Sequence, residues 1–342
     1  MKAIFTDTTA RHQQIAQSLH DSNLSKDELL GAIDLGSNSF HLAIARLDHG
    51  EVRKIASISE KVQLAAGLDE NNILSEEAIQ RGIDCLRRFS QHISAVDSSR
   101  LRIVATNALR KAANANEFIK RANVLLPKPI EVIAGREEAR LIYLGVSHSN
   151  ASTDKRLVVD IGGGTTDIAV LCDTGVVVSE SLRIGGDSFN EAIIQYVRRK
   201  KKLVIGALTA EETKISAGTV DRRSEEREVE IRGRDAITGL PKIVTLHSLE
   251  IQRALESQVM SILEEIKSIL EKTPPELVAA IADHGIILTG GGALISGLDR
   301  VISRSIGIAA YLVEMPRYAV IKGVAKTLDE MSTLRDTLEE LQ

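Results

Sequence analysis

A twelve-residue pattern occurs twice in this chain, and the fold must accommodate both copies. The first runs Asp34-Leu35-Gly36-Ser37-Asn38-Ser39-Phe40-His41-Leu42-Ala43-Ile44-Ala45. The second runs Asp160-Ile161-Gly162-Gly163-Gly164-Thr165-Thr166-Asp167-Ile168-Ala169-Val170-Leu171. Asp meets Asp, Gly36 meets Gly162, Ser39 meets Thr165, and the apolar exit runs coincide at a spacing of 126 residues. With one deletion, Asp48 and Gly50 also match Asp173 and Gly175. A repeat this far apart predicts two related domains rather than a solenoid.

Each copy reads as strand, tight turn, strand: apolar residues lead in, small residues turn, and an apolar run leads out. Such a turn offers backbone N–H groups and hydroxyls with few Cβ atoms in the way, which suits phosphate oxygens. Gly36, Ser37, Asn38 and Ser39 in the first copy, and Gly162, Gly163, Gly164, Thr165 and Thr166 in the second, are therefore candidate phosphate-binding residues. Asp34 and Asp160 close the entering strands, where a carboxylate holds a divalent cation through waters, as Mg²⁺ prefers. Two such hairpins facing each other would clamp a polyphosphate and its metal. Ordinary glycine-rich hairpins would explain the turns but not the duplicated Asp-x-Gly pattern.

These two loops look like the phosphate loops of the superfold shared by actin, heat-shock ATPases and sugar kinases. The resemblance implies an α/β chain of two ribonuclease-H-like, actin-type domains facing a nucleotide and phosphate cleft.

Composition limits the alternatives. Aromatic residues make up 3% of the 342 and Trp is absent, so a base- or sugar-stacking surface is not expected. The net charge of −4 gives no electrostatic reason for a nucleic-acid partner. Cys85 and Cys172 lie in separate apolar patterns, which suits reduced thiols. No run is long enough to span a bilayer, and residues 1–29 show no membrane-binding face, so a cytoplasmic location with a dispensable N-terminal extension is expected.

Along the front half, Glu51 to Ser59 reads as a third strand. Ser75 reads as the N-cap of a helix from Glu76 to Ala95 whose apolar face is Ile79, Ile83, Leu86, Phe89 and Ile93. Leu101 to Ala105 reads as a buried strand and Ile130 to Ile133 as the next strand. Arg110, just beyond the first of these, is placed to reach a phosphate; a solvated helix-start Arg is the alternative. Residues 31–160 closely resemble the N-terminal domain of the exopolyphosphatase / guanosine pentaphosphate phosphohydrolase family. The carriers are Asp34 to Phe40, Lys61 to Leu68, Thr106 to Arg110 and Gly135 to Leu141. By that resemblance Glu138 is the general base for the attacking water, and Asp34 and Asp160 complete the catalytic set. Glu137 should face solvent or pair with Arg140.

After a polar stretch from Ser147 to Lys155, which reads as a hinge, the resemblance changes. Residues 157 to about 330 look like the C-terminal domain of MreB, the bacterial actin homologue. The carriers include Asp160 to Val170, Arg183-Ile184-Gly185-Gly186-Asp187, Thr209 to Lys214, Glu230 to Arg234, Pro274 to Leu277, and Leu288-Thr289-Gly290-Gly291-Gly292-Ala293-Leu294. The last reads as a buried strand, a triple-glycine loop and a helix from Ala293 to about Ser305. By resemblance, Gly290, Gly291, Gly292 and Ala293, with Glu211 and Lys214, cradle a nucleoside; Glu211 and Lys214 are i and i+3 on one helix, and a surface ion pair is their alternative reading. Arg198 to Lys202 is a basic run at a helix end, either complementing the dipole or meeting an acidic partner or lipid headgroup. Arg222 to Arg234 reads as an exposed hairpin arm, and Leu249 to Lys272 as an amphipathic helix on the sheet.

The expected domains are 1–29, 30–150, 151–318, and a C-terminal helix in 319–342 that packs back on the first domain. The expected function is Mg²⁺-dependent hydrolysis of a phosphoanhydride, with ATP or polyphosphate / guanosine pentaphosphate as partner. The alternative is an actin-type filament protein, a homo-oligomer that determines cell shape. Asp167 stands where the phosphohydrolases usually have Glu, and that family's later domains are absent; the MreB front domain, with its membrane-inserting element, is also unrecognisable, which argues against membrane association.

Overall fold

The computed structural model describes residues 29–48, 51–146, 155–172 and 175–328. The N-terminal extension, the hinge, Gly50, Asp173 and the end of the expected C-terminal helix lie outside them. The chain divides into two compact units, Met1–Asn150 with Tyr318–Gln342, and Ala151–Arg317.

The first unit is built on one mixed sheet. Its strands are β1 (Leu29–Leu35), β2 (Ser39–Asp48), β3 (Glu51–Lys61), β4 (Leu101–Ala105) and β5 (Glu131–Val132), in the order β3-β2-β1-β4-β5. β1 is buried at every position because it is central and covered on both faces, as its unbroken apolar run demands. β2 and β3 run antiparallel to it in turn, while β4 and β5 add parallel strands. The helix Glu76–Ile93 covers one face. Ser75 Oγ accepts from Ala78 N at 3.3 Å, and the five predicted apolar residues are buried with Phe40 and Phe118. It ends two residues before the predicted Ala95, because the chain tightens there through Ala95 N→His92 O and Val96 N→Ile93 O bonds. The expected strand over Ile130 to Ile133 shortens to the two residues that pair with Val104 and Ala105.

On the other face, Leu141 of the helix Gly135–Val146 packs with Ala32, Val104 and Ile133. Residues 319–328, also helical, add Ile321 and Val324 to that cluster. Gly145 and Gly323 let these helices cross at backbone contact; a Cβ on either would overlap a main-chain oxygen of the other helix. Arg102 Nη1 donates to Thr327 Oγ1 at 2.9 Å, fixing the same junction.

The second unit repeats the design with β6 (Arg156–Ile161), β7 (Thr166–Cys172), β8 (Gly175–Leu182), β9 (Leu203–Val204), β10 (Glu228–Asp235), β11 (Pro241–His247), β12 (Ile286–Thr289) and β13 (Ala310–Leu312). The main sheet has the order β8-β7-β6-β12-β13, with the same alternation of antiparallel and parallel neighbours as the first unit. The correspondence extends to irregularities: the register shifts between Ile44 and Ala45 in one sheet and between Val170 and Leu171, their repeat partners, in the other. β9, β10 and β11 form a separate three-stranded sheet. The helix Ser248–Lys272 buries Ile251, Leu255, Val259, Ile262, Ile266 and Ile269, the face predicted from their spacing. The exposed arm lies further along the chain than Arg222 to Arg234 implied: the hairpin is β10–β11, running to His247, and Arg222 lies before it, held by Glu256 at 2.9 Å.

Candidate functional site

In the first unit the parallel strands β1, β4 and β5 end side by side, at Leu35, Ala105 and Val132. The segments that follow them carry the predicted residues, as expected at the carboxyl edge of an α/β sheet. Asp34 is buried, in register with His41 and Val104, and its Oδ1 has no hydrogen-bond partner. Burial lifts its carboxyl to about 7. The Oδ1 of Asn38 is likewise buried without a partner. Two orphaned oxygens in one turn are the donor type that a hard divalent cation takes, so the residues fit Mg²⁺. The turn itself is held from outside: Asn38 O accepts from Val62 N and Gln63 N at 2.9 and 2.7 Å, and Ser37 O from Ala65 N at 2.9 Å. Thr106 N donates to Leu35 O at 3.3 Å, which joins the edge of β4 to the same turn.

Glu138 sits in the first turn of the helix Gly135–Val146 and is 6% exposed. Arg110 reaches it across the edge, donating from Nη1 to Glu138 Oε2 at 3.1 Å and to Ile133 O at 2.9 Å. Arg110 is therefore not the solvated residue of the alternative reading. Glu137 turns to Arg140, whose Nε donates to its Oε2 at 2.8 Å; that bond, with Arg102 behind it, holds the Glu137 carboxyl below the usual range.

In the second unit the loops converge through their backbones. The turn after β6 closes with Gly162 N→Thr165 O at 2.8 Å, and Thr165 Oγ1 donates to Asp167 Oδ2 at 3.0 Å. The N-terminus of the helix Gly186–Lys201 rests on this turn, with Gly186 N→Gly162 O at 3.0 Å and Asp187 N→Gly163 O at 2.8 Å. Thr166 Oγ1 donates to Ile184 O at 2.7 Å. Lys214, on the helix Ala207–Ala217, donates from Nζ to Gly186 O at 2.8 Å; Glu211 is half-buried on the same helix. Asp160 lies beside Thr289 in the sheet, and Gly290 follows at φ +85°. A Cβ there would overlap Ile161 O and Asp160 Oδ1, so only glycine allows this approach.

The expected helix from Ala293 is corrected. Gly292–Leu294 is a single 3-10 turn, and the helix begins at Leu298 after Gly297, whose φ of +84° breaks the run. The triple-glycine loop is therefore not a helix N-terminus. The structure adds contributors not predicted as site residues: Gly185, Gly186 and Asp187, which seat the helix on the Gly162–Thr165 turn, and Pro316, whose carbonyl accepts from Gly290 N and Thr289 Oγ1 at 3.0 and 2.9 Å. The Gly185-Gly186 doublet ahead of a helix was a readable signal for the first group. Nothing local marks Pro316.

The MreB/Mbl protein family model matches residues 131–336. The cell shape-determining protein Mbl of Bacillus subtilis (strain 168) is 41% identical over 198 residues, 58% of this chain and 60% of that protein. The chain thus spans about 60% of the length of the curated relatives it matches. Among solved structures, MreB5 of Spiroplasma citri bound to ADP covers 90% of this chain and 99% of its own at 22% identity, with a TM-score of 0.71. A Ppx/GppA phosphatase of Aquifex aeolicus covers 49% and 56% at 31% identity, with a TM-score of 0.41. With the duplicated actin-type sheet and the match over residues 131–336, this chain belongs to the MreB/Mbl family.

Proposed function

We propose that the chain binds a nucleoside triphosphate, ATP in the first instance, and hydrolyses its terminal phosphoanhydride. The observation that carries this reading is the convergence of the Gly162–Thr165 turn, the Gly186 helix start and Lys214 on one another. A glycine turn with a lysine packed beside it keeps Cβ bulk out of the way of phosphate oxygens, and the Gly290–Ala293 loop beside Asp160 suits the nucleoside end.

Asp34 and Asp160 are the residues assigned to Mg²⁺, which when bound would neutralise phosphate charge. Glu138 is assigned as the base that takes the proton from the attacking water; its burial and its bond to Arg110 hold it in one place. Glycine turns and hydroxyls at Ser37, Ser39 and Thr165 are assigned to the phosphate oxygens, where preorganised donors lower the barrier; Thr166, expected to join them, is fully buried with its hydroxyl spent on Ile184 O.

The test is phosphate release with Mg²⁺, comparing ATP with long-chain polyphosphate. Release from ATP supports the reading. Release from polyphosphate alone replaces it with the phosphohydrolase activity implied by the front half, and no release from either removes the enzymatic assignment.

Family membership supports a second reading, a filament subunit that determines cell shape, as the name of the Bacillus subtilis relative states for that protein. Sedimentation with ATP and Mg²⁺ checks it: pelletable polymer supports the reading and a persistent monomer or dimer counts against it.

A further inference from the structure

The stretch Lys61 to Leu68 carries part of the front-half resemblance, yet none of its residues belongs to the site described above. The fold lays it against the turn of residues 36–39. Val62 N and Gln63 N both donate to Asn38 O, and Ala65 N donates to Ser37 O. No peptide among the described residues is cis, and in a trans peptide the N–H lies opposite the carbonyl of the residue before it. Drawing Ser37 O and Asn38 O toward the stretch therefore turns the N–H groups of Asn38 and Ser39 away from it. It also removes from that opposite side two carbonyl oxygens that would repel an anion.

Gln63 sits in this stretch at φ +54°, a left-handed conformation that crowds the Cβ of any residue but glycine. Its neighbours Val62 and Leu64 are buried in the core. The 3-10 turn Ala65–Gly67 lies so near the helix Glu76–Ile93 that a Cβ on Gly67 would overlap that of Ala78. From that helix Arg81 donates through Nε to Val62 O at 2.9 Å and through Nη2 to Gln63 O at 3.2 Å. The guanidinium fork thus holds both peptide planes that meet at the strained Cα. The peptide joining Val62 to Gln63 is gripped at both ends, its oxygen by Arg81 and its N–H by Asn38 O.

The second unit has the same relay, built from other elements. Lys214 Nζ donates to Gly186 O, and the N–H of that same peptide, Asp187 N, donates to Gly163 O in the turn after β6. In both repeats a helix cation holds a peptide oxygen, and that peptide's N–H draws a turn carbonyl outward. Only the Lys214 relay lies among the residues assigned to ligand. We propose that Arg81 is a positioning residue: through the Val62–Gln63 peptide it directs the N–H groups of Asn38 and Ser39 at the phosphate of the bound nucleotide. The proposal rests on the phosphoanhydride reading above. Strain at a non-glycine residue persists where its surroundings over-determine it, and a simple tie between helix and loop would not need Gln63 left-handed.

The experiment compares the full chain with Arg81→Met and Arg81→Met/Gln63→Gly, by hydrogen–deuterium exchange over residues 61–68 and by phosphate release from ATP with Mg²⁺. Arg81→Met keeps the aliphatic stem and loses both donors. Exchange at Val62 and Gln63 should quicken by roughly tenfold or more. The kcat should fall about tenfold with KM little changed, because preorganised donors act most on the transition state. The thermal midpoint should hold, since Arg81 is exposed on its helix. Glycine adopts positive φ without the Cβ penalty, so the double variant should recover part of both losses. Unchanged exchange in Arg81→Met overturns the proposal, and so does quickened exchange with unchanged turnover. A lowered midpoint with a loss of turnover that Gln63→Gly does not relieve also overturns it, leaving Arg81 a structural tie. Absence of phosphate release from the unsubstituted chain is a different failure: it removes the phosphoanhydride reading, and the assignment of Arg81 falls with it.

Discussion

Arg110 and Glu138 bind each other across the carboxyl edge of the first sheet, Nη1 to Oε2 at 3.1 Å, from helices that follow different strands. The pairing fixes the carboxylate assigned as base and supplies the counter-charge that its burial requires. Glu138→Gln keeps the shape and removes the base. Turnover of ATP should fall by roughly 10²–10⁴-fold with nucleotide affinity nearly unchanged. Unchanged phosphate release in this variant removes Glu138 from the role.

Arg110→Ala should act differently, because it removes the charged hydrogen bond between Arg110 and the buried Glu138 carboxylate. Stability should drop by roughly 1–3 kcal/mol, read from denaturant titration. Restoring the guanidinium's charge with Lys recovers only part of it, since one ammonium does not reproduce bonds to both Glu138 and Ile133 O. A neutral effect of Arg110→Ala on stability would show that the pair does not hold in solution.

Lys214 links the helix Ala207–Ala217 to the start of the helix Gly186–Lys201 through Gly186 O. Lys214→Met keeps the aliphatic stem and removes the ammonium. ATP affinity should fall about tenfold or more, whereas the thermal midpoint should move little, because Lys214 is only half-buried. Isothermal titration calorimetry with ATP decides it; equal affinity would leave Lys214 as a structural strut.

Gly290 should tolerate no side chain. At φ +85°, against Ile161 O and Asp160 Oδ1, Gly290→Ala must either strain the backbone or push the cradle away from Asp160. A loss on the order of 1–3 kcal/mol is expected, together with weakened nucleotide binding. Gly239 also has positive φ but has open space around it, so Gly239→Ala should bring the conformational penalty without loss of binding.

The residues that the sequence made legible are those whose chemistry is local. The duplication at Asp34 and Asp160 announced two sheets of one topology, and it extends to a shared register shift at Ile44 and Val170, because both copies must bend the same hairpin. The apolar face of Ser248–Lys272 was readable from its period alone. What was hidden depends on residues distant in the chain. Arg110 and Glu138 are 28 positions apart, Gly290 and Pro316 meet only after β12 and β13 pair, and the lone oxygen of Asp34 is defined by burial. The helix placed at Ala293 failed because a glycine run says nothing about which glycine turns left-handed; Gly297 does, and delays the helix.

Asp34 makes a prediction in which metal binding and stability oppose each other. Burial lifts its carboxyl from 3.8 to about 7, with nothing hydrogen-bonded to Oδ1 to offset the cost. The folded state therefore keeps the proton over a range where the unfolded chain has lost it. That contribution to stability is fully present below the unfolded value of 3.8 and is lost as pH rises through about 7, at up to about 1.4 kcal/mol per pH unit. Asp34→Asn removes the titration. Its stability should change less with pH across this window than that of the unsubstituted chain, and should exceed it above neutrality, by denaturant titration without Mg²⁺. The same variant should lose Mg²⁺-dependent phosphate release, because a neutral amide holds a divalent cation poorly. Parallel pH–stability curves for the two proteins would show that Asp34 is not an unpartnered buried carboxyl, and would remove the reason to place a cation there.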